Sequence, residues 1–196
     1  ETRAMAGIVG LPVSVLPLSL YNISIPTSVK EGMFHIPRIG PRISKCLFEA
    51  TFGTTALNTI NIPWTEMTLK QFDSTSQCLE KYYSPQEKVM TPAHRVEENS
   101  ALVIAYESYQ SRLYTKHYLH RDYGIGNLDN VTSEQLFFLY YALNHCTSRN
   151  SLNDTKRVIM RDRVNFPLKN SYEFASAFSC KQGAPMNPSN KCGFWD

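Results

Sequence analysis

The side chains with the clearest chemical potential lie close together in the run Arg42-Ile-Ser-Lys-Cys-Leu-Phe-Glu49. Lys45, Cys46 and Glu49 place an ammonium, a thiol and a carboxylate on a predicted helix that begins at Pro41. Lysine and glutamate four residues apart can form an ion pair, although lysine before glutamate is the weaker orientation; the alternative is that both face solvent. A cysteine in such a position is more often a small buried side chain than a nucleophile.

A second group that could bind a metal is the pair His117 and His120, in the run His-Tyr-Leu-His. Structural zinc sites need three or four ligands, and no third ligand is in view near this pair in the sequence. We therefore interpret the two histidines as a solvated or stacking pair, and the sequence predicts no metal or other cofactor there.

Cysteines and glycosylation motifs both indicate an oxidising compartment. The five cysteines are spread along the chain without a C-x-x-C motif, an arrangement that favours disulfides over a zinc knuckle. Three N-x-S/T motifs, at Asn22, Asn130 and Asn153, lie in segments that read as surface loops. We expect a secreted, extracellular glycoprotein.

Length and charge exclude several classes of protein. A chain of 196 residues is long enough for one domain with its own core. Its formal charge of +3 arises from 20 basic and 17 acidic residues, which are not clustered in the way that nucleic-acid binding requires. No apolar run approaches the length of a membrane span. We expect no nucleic-acid partner and no membrane span in this chain.

Apolar periodicity predicts an α+β fold that is predominantly helical, in a single domain 1–196. Residues 1–40 are rich in Val, Ile and Leu interrupted by prolines, which predicts short strands and extended segments and excludes a long helix. Residues 41–196 are predicted to form a helical lobe with an irregular tail. Its further helices are predicted over 101–113 and after the N-cap residues Thr65, Thr132 and Asn170.

The C-terminal segment carries a set of closely spaced motifs: Arg163-Val-Asn165, Leu168 to Cys180, Pro185-Met-Asn-Pro188 and Lys191-Cys-Gly-Phe-Trp195. It closely resembles the end of the neprilysin and endothelin-converting-enzyme family of zinc metallopeptidases, which are extracellular enzymes that cleave bioactive peptides. The likeness continues through Ile39-Gly40, Ser76-Gln-Cys78, Thr91 to Gln110, and Gln135 to Leu139 with Cys146. It implies a zincin-like metallopeptidase lobe that corresponds to the C-terminal, catalytic part of a longer ectodomain.

The resemblance also shows which residues have replaced the catalytic ones. Members of this family bind zinc through H-E-x-x-H, whose histidines are ligands and whose glutamate takes a proton from the bound water. Counted from Ile39-Gly40, these three positions are Lys45, Cys46 and Glu49. The third ligand position is His94, and Glu98 replaces the aspartate that would orient the first histidine.

Two further family positions concern substrate binding. The histidine that would stabilise the oxyanion maps near Arg157, and Arg163 matches an arginine that contacts the peptide. Because Lys45 would repel a cation, we expect no zinc at the degenerate site. One hypothesis is that the lysine supplies the missing positive charge by pairing with Glu49 or Glu98; the alternative is that these residues face solvent.

The resemblance implies a disulfide between Cys78 and Cys192 that ties the tail to the lobe. The counterparts of Cys146 and Cys180 reach an N-terminal lobe that is not part of this sequence. Three alternatives are open for these two cysteines: they pair with each other, they bond to a separate chain, or they stay free.

These observations predict a secreted, non-catalytic pseudopeptidase that binds a protein or peptide, or that serves as a structural subunit of a larger assembly. A disulfide-linked chain supplying the missing lobe is one such partner. Arg163 would mark the remnant of the substrate cleft. The competing hypothesis is an active zinc metalloendopeptidase whose site is completed by another chain.

Overall fold

The protein is described by a computed structural model covering residues 3–6, 12–15, 29–52, 65–82, 92–114, 130–146 and 154–193. The described part of the chain is predominantly helical, as predicted. Its elements are β1 (Arg3–Ala6), β2 (Pro12–Val15), α1 (Val29–Phe52), α2 (Glu66–Tyr82), α3 (Pro92–Tyr114), α4 (Ser133–Leu143), α5 (Asp154–Asn170) and α6 (Tyr172–Ala177).

The two strands form an antiparallel hairpin in which Arg3 is opposite Val15 and Ala6 is opposite Pro12. Pro12 is the first residue of its strand, a position where the missing N–H removes no central hydrogen bond. Both strands contact α1. The hairpin thus lies against the helix that carries Lys45.

The predicted extended segment 1–40 is wrong in its last part, because α1 begins at Val29 rather than Pro41. The helix continues through Pro37 and Pro41, although a proline inside a helix costs about 3 kcal/mol. Packing offsets this cost. Pro37 is almost fully buried, and its carbonyl accepts a hydrogen bond from Asn144 Nδ2 at 2.9 Å.

The long α1 packs along α3, and one glycine allows the close approach. A Cβ atom placed on Gly40 would lie 3.4 Å from the Cβ of Ala105. Further along the same pair, Lys45 of α1 meets Glu98 of α3, so the two helices run antiparallel. Each residue toward the C-terminus of α1 therefore faces an earlier residue of α3.

Helix α3 supplies the centre of the core, and its predicted buried face is confirmed. The buried residues of that face are Ala101, Leu102, Ala105, Tyr106 and Tyr109, while Leu113 is half-buried. The Tyr106 ring lies 5.1 Å from Phe137 and 5.2 Å from Phe138, and Tyr109 donates its hydroxyl hydrogen to the carbonyl of Ser133. Aromatic contacts thus join α3 to α4.

The capping box predicted at the start of α4 is confirmed. Thr132 accepts a hydrogen bond from the backbone N–H of Gln135, and the Gln135 side chain accepts one from the Thr132 N–H. The helix is not buried on all sides, however. Leu139 is 43% exposed and Leu143 is 58% exposed, so only one face of α4 reaches the core.

The cap predicted for α2 is also confirmed, since the Thr68 N–H donates to Thr65 Oγ1 at 3.2 Å. Along this helix, Leu79 is buried and Phe72 is half-buried, but Leu69 is 44% exposed. The burial therefore concentrates in the second half of α2, beside the disulfide.

The N-cap predicted for α6 was wrong by one residue. Ser171, not Asn170, accepts the hydrogen bond from the Phe174 N–H, at 2.9 Å. Asn170 instead ends α5 and binds the tail: its Oδ1 accepts from the Cys192 N–H at 2.7 Å, and its Nδ2 donates to the Cys192 carbonyl at 2.9 Å. The Asn170 side chain is thus used to hold the tail, and Ser171 caps α6.

The C-terminal tail is held covalently by the predicted disulfide between Cys78 and Cys192. Thr75 adds a hydrogen bond from its hydroxyl to the Gly193 carbonyl. Cys146 and Cys180 are not bonded to each other, and both thiols are free in this structure. None of the described helices combines the length and apolar character needed to cross a membrane.

Candidate functional site

Three helices meet at one buried carboxylate. Lys45 of α1 places its Nζ 3.0 Å from Glu98 Oε1, and Arg163 of α5 donates to the same oxygen from Nε at 2.8 Å and from Nη2 at 2.5 Å. We call this arrangement the Lys45–Glu98–Arg163 cluster. It confirms that Lys45 pairs with Glu98, one of the two carboxylates predicted for it.

Because Glu98 is buried, its protonation depends strongly on the charges of its two partners. The Glu98 side chain is only 6% exposed, whereas Lys45 is 22% and Arg163 is 29% exposed. Burial alone would raise the pKa of Glu98, but the charges and hydrogen bonds of Lys45 and Arg163 outweigh it and lower that pKa. Glu98 is therefore held as a carboxylate.

A second carboxylate, which the sequence reasoning missed, completes the cluster on one side. Glu97 Oε2 lies 3.4 Å from Lys45 Nζ, and the Glu97 side chain is 10% exposed. The two consecutive acidic residues Glu97 and Glu98 were the available signal. Lys45 thus pairs with both Glu97 and Glu98.

His145 adds a titratable group at the edge of the cluster. Its Nδ1 lies 3.3 Å from the Tyr141 carbonyl oxygen, and its ring is 5.4 Å from the Tyr141 ring. Burial lowers the pKa of His145, and the nearby positive charges of Arg163 and Arg42 lower it further, against an opposing attraction from Glu98.

The other predicted site residues are placed less centrally. Cys46 is buried, with 1% exposure, which agrees with its interpretation as a small buried side chain. His94 lies one turn before Glu98 on α3 and is exposed. Glu49 and Arg157 belong to α1 and α5, but their side chains lie outside the described residues.

The donor set does not fit the zinc ion that the resemblance implies. An ammonium and a guanidinium already hold the buried Glu98 carboxylate, and both would repel a divalent cation. Among the side chains that the structure describes, no three His, Cys, Asp or Glu residues converge as a metal site. The cluster can neutralise charge and join helices; no step of metal chemistry follows from it.

Of the remaining predicted positions, Asn130 is exposed just before α4. Asn22, Asn153, His117 and His120 lie outside the described residues. Cys146 is exposed and Cys180 is half-buried. The free thiols leave two of the three alternatives for these cysteines: bonding to another chain, or remaining free.

Comparison with known proteins shows similarity to one family of peptidases. The model of peptidase family M13 matches residues 49–194. Neprilysin-2 of Caenorhabditis elegans is 29% identical over 94% of this chain, and human endothelin-converting enzyme 1 is 30% identical over the same share. These matches cover 26% and 25% of the two relatives, so the chain spans about a quarter of their length.

Proposed function

Because this chain belongs to peptidase family M13, we propose that it is a secreted, non-catalytic member that binds a protein or peptide, or serves as a subunit of an extracellular assembly. In this proposal residues 1–196 form one zincin-like lobe, and the hairpin of β1 and β2 belongs to its N-terminal β region.

The single observation that carries the proposal is the Lys45–Glu98–Arg163 cluster. Lys45 occupies the position of the first zinc-binding histidine, and Glu98 that of its orienting carboxylate. The 3.0 Å contact between Lys45 and Glu98 joins the two helices, and a cationic side chain stands where the zinc ligand would be. A lysine in this geometry replaces the charge of the metal and leaves no Lewis acid to polarise a peptide carbonyl.

The replacement of the general base also supports a non-catalytic role. Cys46 stands where the glutamate that activates water would be, and its thiol is buried at 1% exposure. A group that takes a proton from water must lie within hydrogen-bond reach of that water. A thiol enclosed by the core does not meet this requirement.

A role in binding is supported by the features that remain at the surface. Arg163 retains 29% exposure beside Glu98 and is the candidate contact for a peptide. Cys146 and Cys180 carry free thiols, which suit a covalent link to a partner chain in an oxidising compartment. The disulfide between Cys78 and Cys192 and the exposed Asn130 motif suit secretion.

The decisive experiment measures zinc content and peptide cleavage on the purified native protein, together with its intact mass before and after reduction. The proposal expects no stoichiometric zinc and no cleavage of a mixed peptide library. A disulfide-linked partner released by reduction would support the subunit form of the proposal. Stoichiometric zinc together with cleavage that a chelator abolishes would instead establish the active enzyme completed by another chain.

A matched variant makes a negative result informative. Lys45→His, Cys46→Glu, Glu49→His and His94→Glu together restore the family's ligand types on the same helices. If the restored variant binds zinc where the native chain does not, the assay detects a competent site and the native residues are responsible for its absence.

A further inference from the structure

A cavity of about 520 Å³ opens between α3, the start of α4 and α6. This volume lies within the range of sites that hold a side chain or a small molecule. The walls that matter for its chemistry are Tyr106, Gln110, Glu134, Tyr172 and Glu173. We call this cavity the α3–α6 groove.

The groove is acidic on a chain that is basic overall. Glu134 and Glu173 both line it, and no lysine, arginine or histidine is among the described residues that do so. The whole chain has a formal charge of +3. The groove therefore combines negative charge with the aromatic walls of Tyr106 and Tyr172.

Glu134 is the carboxylate available to a ligand. It is half-buried in the first turn of α4, and among the described residues no cation pairs with it. An acidic residue in a first helical turn stabilises the helix by itself. That role explains the position of Glu134 on α4, but not the presence of Glu173 and two tyrosines around the same opening.

The fold itself contains an example of a cation bound to this wall. Lys191 Nζ lies 4.8 Å from the centre of the Tyr172 ring and donates to the Ser171 carbonyl at 2.6 Å. Burial lowers the pKa of Lys191, and the attraction of Glu173 acts against that effect. A tyrosine face and a carboxylate on the rim of the groove thus already accommodate an ammonium.

From this geometry we propose that the α3–α6 groove binds a basic peptide side chain, lysine or arginine, with Glu134 as its counter-ion and Tyr172 as its aromatic wall. The Tyr106 hydroxyl, which already accepts from Gln110 Nε2 at 3.0 Å, adds a polar group at the base. This proposal stands independently of the function proposed for the Lys45–Glu98–Arg163 cluster.

The test is an NMR titration of the full chain with three probes that share the same blocked backbone: N-acetyl-lysine methylamide, N-acetyl-arginine methylamide and the uncharged N-acetyl-norleucine methylamide. The two basic probes are expected to shift the amide signals of 132–135 and 172–177, and the uncharged probe is not. Added salt should weaken the response, since the ion pair is partly exposed.

Two variants test which side chains of the groove contact the basic probes. Glu134→Gln should weaken binding of the basic probes about two- to fivefold, the range for a partly exposed ion pair, and Tyr172→Leu should also weaken it. Glu66→Gln is the matched control, because Glu66 likewise lies in the first turn of an exposed helix, α2. Its effect should stay within experimental error.

Two results would overturn the proposal. The first is binding of the norleucine probe as tight as that of the lysine probe, which would indicate apolar contact only. The second is unchanged binding in Glu134→Gln when the variant gives a native amide spectrum. A variant that fails to fold is replaced by Glu134→Asp, which keeps the charge but shortens its reach and should weaken binding by a smaller factor.

Discussion

Lys45 and Glu98 lie 3.0 Å apart and join α1 to α3 at the point where Arg163 of α5 reaches the same carboxylate. One side chain thus holds three helices, and its two partner cations are only partly exposed. Removing one member of a buried charge pair leaves the others uncompensated, which costs more than the pair itself contributes. The stability of the lobe should therefore depend strongly on Glu98.

The first prediction is that Glu98→Gln lowers the free energy of unfolding by about 2–3 kcal/mol at pH 7. This is below the range for fully buried pairs because Lys45 and Arg163 keep partial exposure. Urea denaturation followed by circular dichroism measures it. Glu66→Gln, at an exposed carboxylate that pairs with Lys70, is the control and should change stability by less than about 0.5 kcal/mol.

The loss of stability in Glu98→Gln should depend on pH. The pKa of Glu98 is lowered in the folded protein from an ordinary value of 4.5, so its contribution is complete above pH 4.5. As the pH falls through the lower folded pKa, that contribution is lost. The stability difference between wild type and Glu98→Gln should narrow in that range; a difference that stays constant down to pH 3 would contradict the assignment.

The second prediction concerns His145. Its folded pKa lies below the ordinary value of 6.5, so between these two values the unfolded chain binds a proton that the folded chain does not. Stability must therefore fall as the pH drops below 6.5. His145→Phe keeps an aromatic ring beside Tyr141 and removes the titration, so its stability should depend less on pH between 6.5 and 5. Paired denaturation curves at pH 7.5 and 5.5 provide the comparison.

The third prediction concerns the disulfide. Cys78 and Cys192 are 114 residues apart, and crosslinks that close long loops restrict the unfolded chain most. Replacing both by alanine should lower the free energy of unfolding by about 3–4 kcal/mol. Cys146→Ser, at an exposed thiol, should leave stability unchanged. Equal stability of the double variant and the wild type would mean that hydrogen bonds of the tail are sufficient to hold it.

The fourth prediction separates two roles of Thr132, which caps α4 and is also the third residue of the Asn130 glycosylation motif. Thr132→Ala should cost about 1 kcal/mol and abolish glycosylation at Asn130. Thr132→Ser should retain both properties, and Asn130→Gln should remove only the glycan. Mass spectrometry of protein secreted from animal cells, combined with thermal denaturation, distinguishes the four chains.

The fifth prediction tests the contact between α1 and α3. A Cβ on Gly40 would meet Ala105 and Ile36 at 3.4 Å, the edge of ordinary contact. Gly40→Ala should therefore change stability by less than about 1 kcal/mol, because better helix propensity offsets the tight contact. Gly40→Leu should cost about 1–3 kcal/mol by forcing the helices apart. Similar stability of both variants would indicate that the helices separate freely.

The helices were predictable from sequence where local signals and packing agree. The apolar spacing over 101–113 and the Thr132 cap both act within a few residues, and the structure has them as predicted. The start of α1 was not predictable in this way. Pro37 and Pro41 favour a break locally, and only burial against distant elements such as Asn144 makes the helix continue.

At the site, too, only some of the contacts were predictable from the sequence. The pairing of Lys45 with Glu98 followed from a family resemblance that located both residues on facing helices. Glu97 and His145 were missed because their proximity to the cluster depends on the rotation of α3 and on the end of α4. Asn170 was assigned to the wrong cap because its preferred partner, the Cys192 backbone, is 22 residues away.

The crosslink between Cys78 and Cys192 also makes most of the lobe a covalent ring. Helices α3, α4, α5 and α6 all lie between its two ends. A single proteolytic cut anywhere between these cysteines therefore yields two fragments that remain joined until a reductant is added. A cut within this ring would escape detection on a non-reducing gel and appear only after reduction.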